Sequence, residues 1–171
     1  MGSLSKLISY GIFLLGGLVS LRGFFDHKSK PIIPIESDPK NIDSFRMGSG
    51  IYIGTFLLGS NCDYRLVFLL FTIPHIIYFM KYFSGYVSRI SKMLVFAIVI
   101  STWHLFWSQF FSLFPFGRES AYVLEECMNW LIFFGLIYLV SYSAPDWIKS
   151  TITTWVHRIT NWGSMKLPVS T

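Results

Sequence analysis

The chain has 171 residues, of which 53% are hydrophobic and 13% charged, with a mean hydropathy of +0.52. Soluble domains carry roughly 25% charged residues, so this composition excludes an ordinary water-soluble fold and points to an integral membrane protein. The formal charge of +5 comes from scattered basic residues, which excludes a nucleic-acid-binding face and leaves the lipid bilayer as the expected partner.

In chain order, uncharged runs cover residues 7–21, 47–62, 66–80, 93–116 and 127–145. A helix crosses the hydrocarbon with about 20 residues. The fourth and fifth runs meet that length, and the shorter first three cross if their flanking cations Lys6, Arg22, Arg46, Arg65 and Lys81 extend towards the headgroups. The expected architecture is all-α: a polytopic bundle of about five transmembrane helices over residues 1–145, followed by an interfacial segment over 146–171.

The first run lacks a small-residue cleavage site and is followed by Arg22, so it reads as a span rather than a signal peptide. Glycines at 11, 16 and 17 give it a thin side, and Gly50 and Gly54 give the second run a small-xxx-small spacing. Such faces suit either packing within one bundle or a dimer interface. The connection from Gly23 to Ser44 holds Pro31, Pro34 and Pro39 and reads as a cytoplasmic loop.

A turn at Gly59-Ser60-Asn61-Cys62-Asp63-Tyr64-Arg65 separates the second run from the third. An acid and a base two residues apart at a membrane boundary are costly to keep there, which makes Asp63, Tyr64 and Arg65 candidate binding residues. The third run holds Pro74-His75 in its middle, where proline is expected to kink the helix and free carbonyls that need partners inside the protein. The segment from 47 to 80 is either two spans or a re-entrant hairpin.

On the fourth run, Ser101, His104, Ser108 and Ser112 follow one helical stripe and, with His75 near the same depth, suggest a polar intramembrane path. The plainer reading is hydrogen bonding between helices. At the start of the fifth run, Glu125, Glu126 and Asn129 fall within one turn, with Arg118 and Glu119 preceding them. Arg118, Glu125, Glu126 and Asn129 therefore join Asp63, Tyr64 and Arg65 as a candidate headgroup-binding set. A structural, salt-bridged helix start is the alternative.

After Pro145, Asp146 is placed to cap an amphipathic interfacial helix marked by Ile148, Ile152, Trp155, Val156, Ile159 and Trp162. Cys62 and Cys127 have no metal-ligand spacing and read as buried thiols; neither a metal nor a cofactor is expected. If all five runs cross, eleven of the fourteen Lys and Arg residues fall on one side and only Lys6, Arg65 and Arg118 on the other. The positive-inside rule then places the N-terminus outside and the C-terminus in the cytoplasm.

The stretch from Phe45 to Pro74 resembles the carboxyl-terminal region of large bacterial membrane proteins. Their pattern is a glycine-rich apolar helix, then Gly-Asn-Asn-Trp-Asp-Tyr-Arg, then a helix ending in Ile-Pro-Gln. Asp63, Tyr64 and Arg65 match it, whereas Ser60, Cys62 and His75 depart from it. Those proteins are similar in style to polytopic glycosyltransferases of the GT-C type, which act on lipid-linked sugars. The resemblance implies a non-catalytic or truncated portion of such a cell-envelope protein, because the family's catalytic carboxylate lies in a first external loop that has no counterpart here. The competing expectation is a small transport or assembly protein using the polar stripe.

Overall fold

The computed structural model describes residues 2–26, 39–58, 65–113, 117–145, 147–148 and 150–155. The described residues form seven α-helices: α1 (Gly2–Phe25), α2 (Pro39–Leu57), α3 (Arg65–Leu69), α4 (Ile73–Tyr82), α5 (Gly85–Thr102), α6 (His104–Phe111) and α7 (Gly117–Tyr142). Residues 147–148 and 150–155 are also helical, while the rest of the expected amphipathic segment lies outside the described residues.

The longest helix, α7, is the axis of the bundle, and α1, α2, α5 and α6 all pack on it. Leu94 of α5 meets Gly135 of α7, and Ser101 meets Asn129, so these helices are antiparallel. Helix α2 also opposes α7, with Arg46 donating to the Ser143 carbonyl at one end and Phe56 against Trp130 and Phe133 towards the other. Helix α1 runs with α7, placing Gly16 by Ile137 and Ser20 by Ser141. The order α1, α2, α3–α4, α5, α7 is therefore an up-and-down path between two ends.

Two of the expected continuous runs are broken. Pro74 sits in the first turn of α4 rather than in the middle of a helix. It cannot donate to the carbonyl four residues back, and the chain substitutes tight i to i+3 bonds at Leu70, Phe71 and Thr72 before α4 begins. The fourth run breaks at Trp103, whose φ of −99° and ψ of 25° leave the helical region. Its start also moves: Gly85, with φ 72°, adopts the left-handed conformation that turns the chain from α4 into α5.

Phe45, Tyr52, Ile76, Phe79, Leu94, Ile132, Phe133 and Leu139 are among the core side chains. Ser49, Thr72, His75, Ser91, Ser101, Asn129 and Ser141 are buried beside them. Several hydroxyls bond back to their own helix, as Ser91 does to the Val87 carbonyl at 2.8 Å, which meets their hydrogen-bonding need without water. The outer surface is apolar instead: Leu14 and Leu18 on α1, Met47 and Leu57 on α2, Met93, Phe96 and Val99 on α5, and Leu105, Phe106 and Phe110 on α6 are all exposed. Among the described residues, α5 and the Glu119–Tyr142 part of α7 are the two helices long and apolar enough to cross a membrane.

The close helix contacts fall at unexpected glycines. Nothing lies near a Cβ built on Gly50 or Gly54, or on Gly11 or Gly17. A Cβ on Gly48 would instead meet the Phe68 carbonyl oxygen at 2.8 Å, and one on Gly23 the Tyr138 carbonyl oxygen at 2.6 Å. Gly48 thus permits α2 to pack on α3, and Gly23 permits α1 to pack on α7.

Candidate functional site

The breaks in the helices decide where the polar residues go. Ending α5 at Thr102 leaves the Ser101 hydroxyl directed at α7, where it donates to Asn129 Oδ1 at 3.2 Å. The turn at Trp103 then carries α6 along the first part of α7. Between them opens a groove of about 200 Å³ lined by Ile100, Ser101, Trp107, Ser108, Ala121, Tyr122, Leu124 and Glu125. Phe111, Glu119, Ser120, Val123, Leu124 and Cys127 line a shallower hollow on the same side of α7.

Two expected features, the serine stripe and the acidic helix start, thereby meet in one place. Ser101, Ser108 and Glu125 line the groove, and Asn129 lies behind Ser101, 2% exposed. Glu126, the next residue after Glu125 on α7, is partly buried and takes no part in the lining. The helix that carries the stripe breaks at Trp103, between Ser101 and Ser108, yet both serines line the groove. Ser112 follows the end of α6 and donates to the Gln109 carbonyl at 2.6 Å.

Trp107 was not singled out by sequence reasoning. Its ring lines the groove, and its buried Nε1–H has no hydrogen-bond partner among the described residues. A buried donor without a partner costs about 1–3 kcal/mol. The sequence signal was present, since Trp107 lies six residues after Ser101 and one before Ser108, but tryptophan is so common in this chain that it gave no contrast.

His75 stands apart from this groove. Its ring packs 4.4 Å from that of Phe79, 5.0 Å from Phe45 and 5.4 Å from Tyr78 by centroid, and none of those residues lines the groove. His104 begins α6, Arg65 begins α3 and Arg118 is the second residue of α7; their side chains lie outside the described residues, as do Asp63 and Tyr64 altogether. Cys127 is exposed rather than buried, and it lines the shallow hollow with Phe111 and Glu119. Cys62 lies outside the described residues.

No protein-family model, curated protein or solved structure matches this chain. The site is therefore read from its own chemistry. Glu125 supplies a carboxylate acceptor, Ser101 and Ser108 supply hydroxyls, and Trp107 supplies an aromatic wall. At about 30 Å³ per molecule, the volume of about 200 Å³ holds about seven waters or one small polar group. Among the described residues no three His, Cys, Asp or Glu side chains gather as a metal site.

The ends of the bundle differ in charge. Arg22, Arg46, Lys81 and Arg89 gather where α1, α4 and α7 finish and α5 starts, whereas Glu119, Glu125 and Glu126 lie towards the opposite end. The groove belongs to the acidic end.

Proposed function

We propose that the chain is an integral membrane bundle of five crossing segments whose groove between α6 and α7 holds the polar headgroup of a lipid-linked sugar. In this reading it is a non-catalytic portion of a glycosyltransferase-like protein of the cell envelope, in a bacterial cytoplasmic membrane. The observation that carries the proposal is the convergence of Glu125, Ser101, Ser108 and the Trp107 ring in one groove beside an apolar outer surface. A carboxylate accepts hydrogen bonds from sugar hydroxyls, serine hydroxyls donate to or accept from sugar oxygens, and aromatic rings cover the ring's apolar face.

The segments have suitable lengths. At 1.5 Å per residue, α1 spans about 36 Å, α2 about 28 Å, the broken α3–α4 unit about 27 Å, α5 about 27 Å and α7 about 39 Å, against a hydrocarbon core of about 30 Å. Exposed apolar side chains on successive helices are what lipid contact requires and what water penalises. The basic end faces the cytoplasm and the acidic end with its groove faces out, following the positive-inside rule.

The test is retention of a polyprenyl-phosphate-linked hexose by the purified protein in nanodiscs, measured by native mass spectrometry. Glu125→Gln removes a charged acceptor worth about 1.5–3 kcal/mol and is expected to lower retention at least tenfold, with polyprenyl phosphate lacking the sugar held no better by wild type than by the variant. Equal retention of the glycosylated lipid by wild type and Glu125→Gln sinks the headgroup reading. The transport alternative makes His75 essential instead, so loss of function in His75→Phe with Glu125→Gln unaffected would favour it.

A further inference from the structure

At the opposite end of the bundle, two guanidinium groups converge on one side chain. The Arg22 guanidinium carbon, from α1, lies 4.7 Å from the centre of the Tyr86 ring, and that of Arg89, from α5, lies 5.8 Å from the same centre. Lys92, one turn beyond Arg89, extends the positive surface along α5. Tyr86 is half exposed and Arg22, Arg89 and Lys92 are exposed, so the cluster opens outward.

Among the described residues neither Arg22 nor Arg89 makes an ion pair, and the nearby Asp26 carboxylate, an electrostatic neighbour of Tyr138 as Arg22 is, is engaged with Tyr138. The one ion pair there joins Arg46 to Asp43 at 3.4 Å, on α2. Asp26, the carboxylate that follows α1, accepts a hydrogen bond from Tyr138 at 2.5 Å and makes no ion pair with either arginine. Like charges held together at a membrane boundary repel, and the repulsion grows as water is excluded. An arginine fork matches phosphate oxygens bidentately, and both guanidinium carbons lie within 5.8 Å of the Tyr86 ring centre.

We infer that Arg22 and Arg89, gathered on Tyr86 with Lys92 beside them, form a binding site for the phosphate of an anionic phospholipid in the leaflet that meets this end of the bundle. The acyl chains would lie along exposed apolar residues of the adjoining helices, such as Leu18 and Leu21 of α1 and Met93 of α5. The site draws α1 and α5 together, two helices that otherwise meet chiefly through α7. The inference rests on the membrane reading above but not on the groove or its ligand.

The experiment is native mass spectrometry of the full chain reconstituted in nanodiscs containing equal phosphatidylglycerol and phosphatidylcholine. Each basic residue near an anionic surface contributes about 1 kcal/mol, so Arg22→Gln/Arg89→Gln is expected to weaken phosphatidylglycerol retention about 30-fold by that same constant. Phosphatidylcholine retention stays unchanged. Lys81→Gln removes a cation from the same end, on the neighbouring Tyr82 ring, and is expected to have far less effect. Arg22→Lys/Arg89→Lys keeps the charge but loses the forks, giving an intermediate loss that a misfolded variant would not show.

Equal retention of the two lipids by wild type overturns the proposal. So does an equal loss in Lys81→Gln, which would reduce the effect to general surface charge. A chain that enters no bilayer contradicts the membrane reading and removes this inference with it.

Discussion

Replacing Gly23 with alanine tests the packing of the bundle with a change of one methyl group. The added Cβ falls 2.6 Å from the Tyr138 carbonyl oxygen, 3.0 Å from Ser141 Cβ and 3.3 Å from the Tyr142 nitrogen. Carbon–oxygen contacts between helices settle near 3.3–3.6 Å, so α1 must retreat by roughly 0.7 Å. That shift strains the Ser20–Ser141 hydrogen bond of 2.8 Å and the Tyr138–Asp26 bond of 2.5 Å. Overpacking costs about 1–3 kcal/mol and each weakened interhelical bond about 0.6 kcal/mol. Helix propensity returns roughly 0.5–1 kcal/mol on replacing glycine, leaving a net loss of about 1–3 kcal/mol. Gly17→Ala is the control, since nothing lies within 4 Å of its Cβ, and it should be neutral or stabilising. Reversible unfolding in mixed micelles, followed by tryptophan fluorescence with Trp130 as a core reporter, measures both. Equal stability of Gly23→Ala and Gly17→Ala would refute the close contact between α1 and α7.

Other substitutions probe separate joints. Asn129→Leu removes the acceptor of the Ser101 bond and should cost about 0.6–1.7 kcal/mol in the same unfolding assay; adding Ser101→Ala should then cost little more, and full additivity would contradict their pairing. Leu94→Ala empties a fully buried position and should cost about 2–5 kcal/mol. Because Leu94 Cδ1 lies 3.0 Å from a Cβ built on Gly135, Gly135→Ala should be less harmful in the Leu94→Ala background than in wild type, and a double-mutant cycle without coupling would argue against that contact.

The helical class was legible because uncharged apolar runs of 15 residues and more are too long for strands. Individual boundaries were not. Pro74 was read as a mid-run kink, but its missing N–H places it at the start of α4. The 93–116 run reads as one helix, yet the helical conformation is interrupted at Trp103, where apolarity alone carries no signal for a break. Glycine spacing pointed to Gly50 and Gly54, while the contacts fall at Gly23 and Gly48, because spacing within one helix does not say which neighbour faces it. The serines and Glu125 each stand out in the sequence, but their meeting in one groove depends on how α5 and α6 pack on α7. Arg22, Arg46, Lys81 and Arg89 lie at one end of the bundle, the same four that the loop-by-loop charge count groups on one side.

The account turns on which end of the bundle faces which side of a membrane. The direct measurement is labelling of single cysteines by a membrane-impermeant maleimide in intact cells, after Cys62→Ser and Cys127→Ser remove the native thiols. Ser84→Cys marks the α4–α5 turn at the basic end and Ser112→Cys the turn after α6 at the acidic end; both positions are exposed. Labelling of Ser112→Cys in intact cells, with Ser84→Cys reacting only after permeabilisation, is the predicted result. Labelling of both from the same side, or release of the protein from membranes by alkaline carbonate, would contradict it.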